Sequence, residues 1–467
     1  MPGGLLNAQG VAVVGASATK DAAGHDKLGT VALNHLLKHG FPGAVYPVNP
    51  KETEIAGLTC YPSLADIPAT VDLCVVAVPG PAAAGVIRDC GAAGISRAVV
   101  LASGFAEAGN AALQEELLAA AREAGVRFLG PNTNGFISVA NDLVPCTSMV
   151  CSMDAFAKGD IAFITQSGAV GGSMLGTGME EMGGFSHWIS VGNEADFTVA
   201  DYMDALVDDP ATRVITLFVE GIRDPDRFTA ACARAAEAGK PVIIYKIGIS
   251  AVAAEASRSH TGAMVGSDDV FNAVCRKYGL VRVADASQLL PTAITFSRLL
   301  DKLPKGRGMA LVAPSGGICG VAADECHLAG LQVPALDAET QAVIRQYVPS
   351  FGAVRNPVDV TQQIRAYATG YQDTIKAVLD AEAIDGLILL VTMVAEPRAS
   401  FYADIFTEAA RATDKPVIVG WTGAVSLAQK ALPTLKRNGV PVYLSARSAV
   451  TAMRALYDYR EFLEQRP

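Results

Sequence analysis

The chain has 467 residues, with 37 Lys and Arg against 47 Asp and Glu, so its formal net charge is −10. A hydrophobic fraction of 51% excludes a disordered chain, and the length suits about three domains of ~150 residues. The acidic balance gives no electrostatic footprint for nucleic acid or an anionic membrane surface. No apolar stretch approaches the ~20 residues of a membrane span, and no secretory leader opens the chain, so we expect a cytoplasmic protein.

The first third of the chain alternates short apolar runs with helical patterns. Strands are predicted at residues 10–14, 44–48, 73–78 and 98–101. Helices are predicted at residues 31–39, 81–93 and 110–124. This rhythm is typical of an α/β domain with a doubly wound parallel sheet, which we place at residues 1–145.

The same rhythm continues through the remaining two thirds. Strands are predicted at residues 161–164, 214–219, 242–245, 309–313, 386–391 and 416–419. Polar joints containing Pro or Gly divide this part into domains at residues 146–302 and 303–467. We therefore expect three doubly wound parallel-sheet domains. The last two share a strand followed by Ser-Gly (Ser167-Gly168 and Ser315-Gly316), an outline compatible with a duplicated fold.

The nine cysteines are odd in number and include no C-x-x-C pair. Most of them lie within apolar strand or helix patterns, which is typical of buried, reduced thiols. No metal site is predicted.

The turn after the first strand reads Gly15-Ala16-Ser17. A glycine there lets backbone amides approach a pyrophosphate, although a tight turn alone also favours glycine. The second strand is followed by Lys51, where an NAD site would have Asp or Glu, and no G-x-G-x-x-G motif is present. The pattern thus favours a nucleotide with a ribose phosphate, either CoA or NADP.

His260 lies in the segment Ser259-His260-Thr261-Gly262-Ala263. Its small and hydroxyl-bearing neighbours leave room for a tetrahedral group, and a neutral imidazole is a competent nucleophile for phosphoryl transfer. Glu220, at the end of an apolar strand, could orient the second ring nitrogen, or it could be a solvated strand-end residue. Gln166-Ser167-Gly168 joins another strand to a helix and predicts an anion site at that helix N-terminus.

Several segments, taken in chain order, resemble the NDP-forming acyl-CoA synthetases, relatives of the succinyl-CoA synthetase α subunit. They are residues 13–17, 45–51, 130–132, 166–169, 191–196, 259–263 and 356–359. The resemblance implies a Rossmann-like CoA-binding domain followed by two flavodoxin-like ligase domains.

The resemblance also implies roles for single residues. His260 would carry a transient phosphoryl group, and Glu220 would stabilise it. The implied phosphate-binding residues are Gln166, Ser167, Gly168, Thr261 and Gly262. The implied CoA-binding residues are Gly15, Ser17, Lys51, Val78, Pro79, Ser103, Gly104 and Asn132.

The reaction implied by the resemblance makes an acyl-CoA from a small carboxylic acid, ATP and CoA. It requires an ATP-grasp module with ATP or ADP and Mg²⁺; because the chain ends after the third domain, we expect that module on a partner β subunit, in an αβ hetero-oligomer or with a homodimer of α.

Two features depart from the family pattern. The loop at residues 18–28 is longer than usual, and Asn132 is followed by Thr133 rather than by the commoner cysteine. Two alternatives stay open. One is a non-catalytic protein that binds CoA or acyl-CoA, and the other is an NADP-dependent oxidoreductase, which would explain the first domain only. No arginine pair clearly requires a dicarboxylate, so the sequence does not identify the acid.

Overall fold

The computed structural model describes residues 2–250, 252, 253, 255 and 267–466. His260, Thr261 and Gly262 lie outside the described residues. The chain divides into two compact units, Met1–Ala293 and Ile294–Pro467. Within the described residues, no helix has both the length and the apolar composition needed to cross a membrane.

The strands of the first unit are β1 (Gly10–Val14), β2 (Ala44–Val48), β3 (Glu54–Ile55), β4 (Leu58–Thr59), β5 (Leu73–Val76), β6 (Arg97–Val100), β7 (Arg127–Leu129), β8 (Phe136–Ser138), β9 (Lys158–Thr165), β10 (Phe185–Ser190), β11 (Val214–Val219), β12 (Val242–Lys246) and β13 (Val281–Arg282). Those of the second unit are β14 (Met309–Ala313), β15 (Val358–Asp359), β16 (Gly386–Val391), β17 (Val417–Trp421) and β18 (Val442–Tyr443).

The α-helices, in chain order, are α1 (Leu28–Lys38), α2 (Gly80–Ala92), α3 (Ala111–Ala124), α4 (Gly168–Glu180), α5 (Val199–Asp208), α6 (Pro225–Glu237), α7 (Asp268–Tyr278), α8 (Leu289–Leu299), α9 (Gly316–Leu328), α10 (Ala338–Arg345), α11 (Gly370–Asp380), α12 (Arg398–Arg411), α13 (Ala431–Arg437) and α14 (Ala446–Gln465).

The three main sheets share one strand order. The first sheet runs β2-β1-β5-β6-β7, the second β13-β12-β11-β9-β10-β8, and the third β15-β14-β16-β17-β18. Numbered within each sheet from its first parallel strand, all three follow the flavodoxin-like order 2-1-3-4-5. Pairing is parallel throughout, except that β8 lies antiparallel to β10 at the edge of the second sheet. The predicted doubly wound parallel-sheet class is therefore confirmed.

Burial on both faces explains why the strands are apolar runs rather than alternating patterns. In β1, Val11 and Val13 pack into one cluster, while Ala12 packs into a cluster on the opposite face. The first of these clusters also contains Ile164 of β9 and Leu217 of β11, so the first two sheets of this unit share a core. The third sheet has a separate core within its own unit.

The long strands agree with the sequence prediction to within a few residues, but the short edge strands and β10 were not predicted. All nine cysteines are free and buried, which confirms the prediction of reduced thiols. The strand β8 belongs to the second sheet although residues 136–138 precede the predicted boundary at residue 145. The two boundaries between the three predicted domains stay predictions.

Candidate functional site

Gln166 lies at the carboxyl edge of the second sheet, immediately after β9, and its side chain is 8% exposed. Its Nε2 donates to Glu194 Oε2 at 2.5 Å and to the Gly221 carbonyl oxygen at 2.8 Å. Its Oε1 accepts from the backbone N–H groups of Glu220 and Gly221. One amide thus fastens the ends of three segments together. We call Gln166, Glu194, Glu220 and Gly221 the glutamine cluster.

Glu194 is the buried acidic member of the glutamine cluster. It is 6% exposed and its Oε1 accepts from the Val199 N–H at 2.5 Å. Burial raises the pKa of Glu194 to about 7, although hydrogen bonds from Val199 and Gln166 and the charge of Arg223, 3.9 Å away, oppose the shift. This carboxyl group can therefore hold or release a proton near neutral pH.

Glu220 and Lys246 leave neighbouring strands at this same edge. In the parallel pairing of β11 with β12, Val219 lies opposite Lys246, so Glu220 follows directly. Glu220 is 6% exposed and Lys246 is 3% exposed. Burial lowers the pKa of Lys246, while the negative charge of Asp268 opposes that effect. The edge thus holds two buried carboxyl groups and one buried amine, and buried ionisable groups of this kind are typical of functional sites.

The first turn of α4 faces the solvent beside this cluster. Ser167 is the N-cap and its hydroxyl accepts from the Val170 N–H at 3.4 Å. A Cβ on Gly168 would lie 2.6 Å from Asn134 Nδ2, so a larger residue there would have to displace the Asn134 side chain. Ala169 and Val170 are exposed, and the first N–H groups of a helix have no partner within it. The turn can therefore offer N–H donors and the positive end of the helix dipole to an anion.

The turn at residues 15–17, which we call the glycine turn, lies at the carboxyl edge of the first sheet. Gly15 has φ +96°, and a Cβ there would lie 2.4 Å from the Ala77 carbonyl oxygen. A cavity of about 260 Å³ opens beside it, lined by Gly15, Val78 and the Asn49-Pro50 segment among others. This volume is slightly below the ~300 Å³ of typical small-molecule sites, so the cavity can enclose part of a larger ligand.

The polar side chains around the glycine turn differ in whether other protein groups already bind them. Asn49 Nδ2 donates to the Ala16 carbonyl oxygen at 2.8 Å, which joins the ends of β1 and β2. The hydroxyl of Ser17 donates to Glu52 Oε1 at 3.1 Å, so it is held by the protein. Lys51, in contrast, is exposed next to the cavity. Lys51 thus offers a cation to a ligand at this turn.

Residues 191–196, which we call the linking loop, lie between the carboxyl edge of the first sheet and the glutamine cluster. Asn193 Nδ2 donates to Glu107 Oε2 at 2.5 Å and to Gln114 Oε1 at 3.1 Å, and Asn193 Oδ1 accepts from Asn132 Nδ2 at 3.1 Å. The next residue, Glu194, belongs to the glutamine cluster. The linking loop therefore contacts the segments after β6 and β7 on one side and the segment after β9 on the other.

The structure brings together most of the predicted site residues that it describes. Gln166, Ser167, Gly168 and Glu220 meet at one sheet edge. Four of the predicted CoA-binding residues, Gly15, Ser17, Lys51 and Val78, lie at or beside the cavity of the first sheet, and Pro79 follows Val78 as the N-cap of α2. Ser103, Gly104 and Asn132 do not line that cavity. They lie on the side of the linking loop, where Gly104 N–H donates to Glu107 Oε1 at 2.5 Å.

Three functional candidates were missed from the sequence: Glu107, Glu194 and Lys246. Glu194 stands in a segment that was matched to the family without being given a role, and that match was the signal available for it. Lys246 directly follows a predicted strand, but its burial is a tertiary property. Ser267 is the N-cap of α7, although its side chain makes no capping hydrogen bond.

Three family models match the chain in succession. Residues 9–138 match a CoA binding domain, residues 158–296 a succinyl-CoA ligase like flavodoxin domain, and residues 309–462 a ligase-CoA domain. The glycine turn and its cavity lie in the first segment, and Gln166, Glu194 and Glu220 lie in the second.

Named relatives match nearly the whole chain. The acetate–CoA ligase [ADP-forming] I subunit alpha of Pyrococcus furiosus is 32% identical, over 98% of this chain and 97% of its own length. The acetate–CoA ligase [ADP-forming] II of Archaeoglobus fulgidus is also 32% identical over 97% of this chain, but the match spans 66% of that longer protein.

A solved structure gives the same result. The dinucleotide forming acetyl-coenzyme A synthetase 1 of Ca. Korarchaeum cryptofilum, in complex with phosphate and ADP, is similar with a TM-score of 0.90 and 32% identity, covering 99% of this chain and 98% of that one. The resemblance found in the sequence is confirmed: the chain belongs to the NDP-forming acyl-CoA synthetases, the succinyl-CoA ligase-like family.

Proposed function

We propose that this chain is the CoA-binding and phosphohistidine-carrying part of an ADP-forming acid–CoA ligase. The single observation that supports it best is the glutamine cluster, which places Glu220 and the first turn of α4 at one sheet edge. Membership of the family and the match to a CoA binding domain support the same proposal. They also favour CoA over NADP as the nucleotide at the glycine turn.

The proposed reaction has three transfers. A ring nitrogen of His260 attacks the terminal phosphorus of ATP, and ADP leaves. A carboxylate oxygen of the acid then attacks that phosphorus, the P–N bond breaks and an acyl phosphate forms. The CoA thiolate attacks the acyl carbon, and inorganic phosphate leaves. Each transfer exchanges bonds of similar energy, so catalysis needs positioning and charge neutralisation more than strong acid–base chemistry.

The described residues have separate tasks in this scheme. The first turn of α4, with Ser167 and Gly168, would bind the phosphoryl oxygens through N–H donors. Glu220 would accept a hydrogen bond from the other ring nitrogen of His260 and stabilise its positive charge. Gln166 would hold Glu220 in place, because its Oε1 accepts from the Glu220 backbone N–H.

The ATP site is proposed to lie on an ATP-grasp partner, which would also hold Mg²⁺. The alpha-subunit name of the Pyrococcus relative supports such a partner. Within the described residues, no group of three or more His, Cys, Asp and Glu side chains could hold a metal ion. Acetate is the first acid to assay, since both named ligase relatives carry it in their names.

The direct test is phosphorylation of His260. The chain is mixed with an ATP-grasp partner and ATP, and intact mass spectrometry should show the gain of one acid-labile phosphoryl group. His260→Ala should abolish both this gain and the turnover while leaving CoA binding unchanged. The matched control is His327→Ala, an exposed histidine in the last turn of α9. An unmodified wild-type mass would contradict the ligase proposal and favour a non-catalytic CoA-binding protein.

A further inference from the structure

A second cavity, of about 420 Å³, opens in the second unit between the segments that follow β15 and β16. Its walls come from residues 364–372 and 397–402. The chain passes from β14 to β15 on one side and later to β16 on the other, so the strand order reverses beside β14. Ligands of doubly wound sheets bind outside the carboxyl ends of the strands at such a switch point. The volume falls within the ~300–1,000 Å³ typical of small-molecule sites.

Aromatic rings form the apolar part of this cavity. Tyr371 and Tyr402 are 3% and 2% exposed, and their rings meet edge to face with centroids 5.1 Å apart. Tyr367 and Phe401 are 45% and 49% exposed. Edge-to-face and offset contacts of this kind favour a further aromatic ring over an aliphatic chain of equal size.

Two arginines, Arg365 and Arg398, line the same cavity. Within the described residues, neither arginine forms an ion pair with a carboxylate. The carboxylates on the flanking segments are engaged elsewhere: Asp373 accepts from Tyr347 and Thr369, and Glu396 accepts from Ser400 and the start of α13. The cavity therefore has positive charge that no described acidic residue neutralises.

We propose that this cavity binds an aromatic monocarboxylate, with the ring against Tyr371, Tyr402 and Phe401 and the carboxylate on Arg365 and Arg398. A planar guanidinium matches a carboxylate better than a point charge does, which suits a site with two arginines and no lysine in its lining. The ligand could be the acid that the proposed ligase activates or an effector that is not converted; the chemistry recognised is the same.

The test is a calorimetric titration of the full chain with 3-phenylpropionate. We expect saturable binding, about tenfold or more weaker after Arg398→Gln or Arg365→Gln, because a charge-assisted hydrogen bond is lost. Arg411→Gln, at the other end of α12, is the matched control and should bind as the wild type does. The uncharged analogue 3-phenylpropionamide should also bind about tenfold more weakly, and Phe401→Ala should weaken both ligands together.

Two assays distinguish whether the bound acid is a substrate of the ligase or an effector that is not converted. Formation of 3-phenylpropionyl-CoA by the complete ligase, with a KM raised in Arg398→Gln, identifies the acid substrate. A changed rate with acetate, without conversion of 3-phenylpropionate, identifies an effector. Absence of saturable binding, or equal binding by the Arg365, Arg398 and Arg411 variants, would overturn the proposal. Because calorimetry needs no turnover, an inactive ligase would count against the proposed function alone.

Discussion

The glycine turn and the glutamine cluster both lie at the carboxyl ends of parallel strands, yet they present charge in opposite ways. At the glycine turn the cation, Lys51, is exposed and the backbone is drawn close to its neighbours. In the glutamine cluster the charged groups are buried and a neutral amide fixes their positions. A ligand that only binds can be attracted by a mobile surface charge, whereas a group that is transferred needs fixed partners. The two edges therefore suit binding and chemistry, respectively.

The same contrast holds for two carboxyl groups on either side of Asn193. Burial raises the pKa of Glu194 to about 7. Burial also acts to raise the pKa of Glu107, but hydrogen bonds from Asn193 and from the Gly104 N–H outweigh it, and the pKa falls below its ordinary value. The pKa values of these two glutamates thus shift in opposite directions, because Glu107 accepts more hydrogen bonds for its degree of burial than Glu194 does.

The largest expected effect would break the glycine turn. Gly15→Ala adds a Cβ at φ +96°, 2.4 Å from the Ala77 carbonyl oxygen. The left-handed conformation and the overpacking together should lower the free energy of unfolding by about 4 kcal/mol and weaken CoA binding. Denaturant unfolding and a CoA titration measure the two effects.

The control for this variant is Gly24→Ala. Gly24 has φ +83°, but nothing lies within 4 Å of the position that a Cβ would take. It should lower the free energy of unfolding by only about 1 kcal/mol. Equal losses for the two variants would show that the conformation alone, and not the close approach of the backbone to Ala77, makes glycine necessary at the turn.

The next largest effect concerns Glu194 of the glutamine cluster and the dependence of stability on pH. The pKa of Glu194 is raised from 4.5 to about 7 in the folded chain, so the fold binds a proton that the unfolded chain releases. The stabilising contribution is complete below pH 4.5 and is lost as the pH rises to about 7, a difference of roughly 3 kcal/mol. Subtracting the stability profile of Glu194→Gln from that of the wild type should reveal this decline.

Glu107→Gln provides the opposite slope. Because the pKa of Glu107 is lowered, its contribution is present above the ordinary carboxyl range and is lost as the pH falls through the folded value. The difference profiles of the two variants should therefore have opposite signs. Profiles of the same sign would show that the linking loop does not separate two electrostatic environments. The slope is the readout, because each substitution also disturbs hydrogen bonds at every pH.

The sequence predicted the long strands and the residues at their ends better than it predicted what surrounds them. An apolar run such as residues 214–219 has few alternatives to a buried strand, and Glu220 follows from where that run stops. Parallel strands bring their carboxyl ends to one edge, so Gln166 and Glu220 could be placed together before their contact was known. The strand β10, with a buried His187 that contacts Asp209, gave no such signal, because its polar residues interrupt the apolar run.

Long-range contacts explain what the sequence could not provide. The contact of Glu194 with Gln166 joins residues 28 positions apart, and that of Asn193 with Glu107 joins residues 86 apart. Residues so far apart along the chain leave no local sequence pattern that would reveal their contact. Burial of Lys246 likewise depends on neighbours such as Phe271, whose ring lies 5.6 Å from the Lys246 Nζ. Local spacing fixes elements and their ends, while the pKa of a side chain depends on what the fold places against it.

The smallest expected effect concerns Lys51, the exposed lysine at the glycine turn. Lys51 is exposed and makes no side-chain hydrogen bond within the described residues, so Lys51→Ala should change the free energy of unfolding by less than about 0.5 kcal/mol. If its ammonium binds the ribose phosphate of CoA, the Kd for CoA should rise by about tenfold, and the loss should shrink as salt is added.

Dephospho-CoA, which lacks the ribose phosphate, isolates that contact. Its Kd should be the same for the wild type and for Lys51→Ala. Lys20→Ala, which removes a lysine of the neighbouring loop that is ion-paired with Asp26, is the matched control and should affect neither ligand. An equal loss for CoA and dephospho-CoA in Lys51→Ala would place the lysine away from the ribose phosphate. The exposed cation would then attract CoA only through its long-range field, and the specificity of the glycine turn would have to come from its backbone.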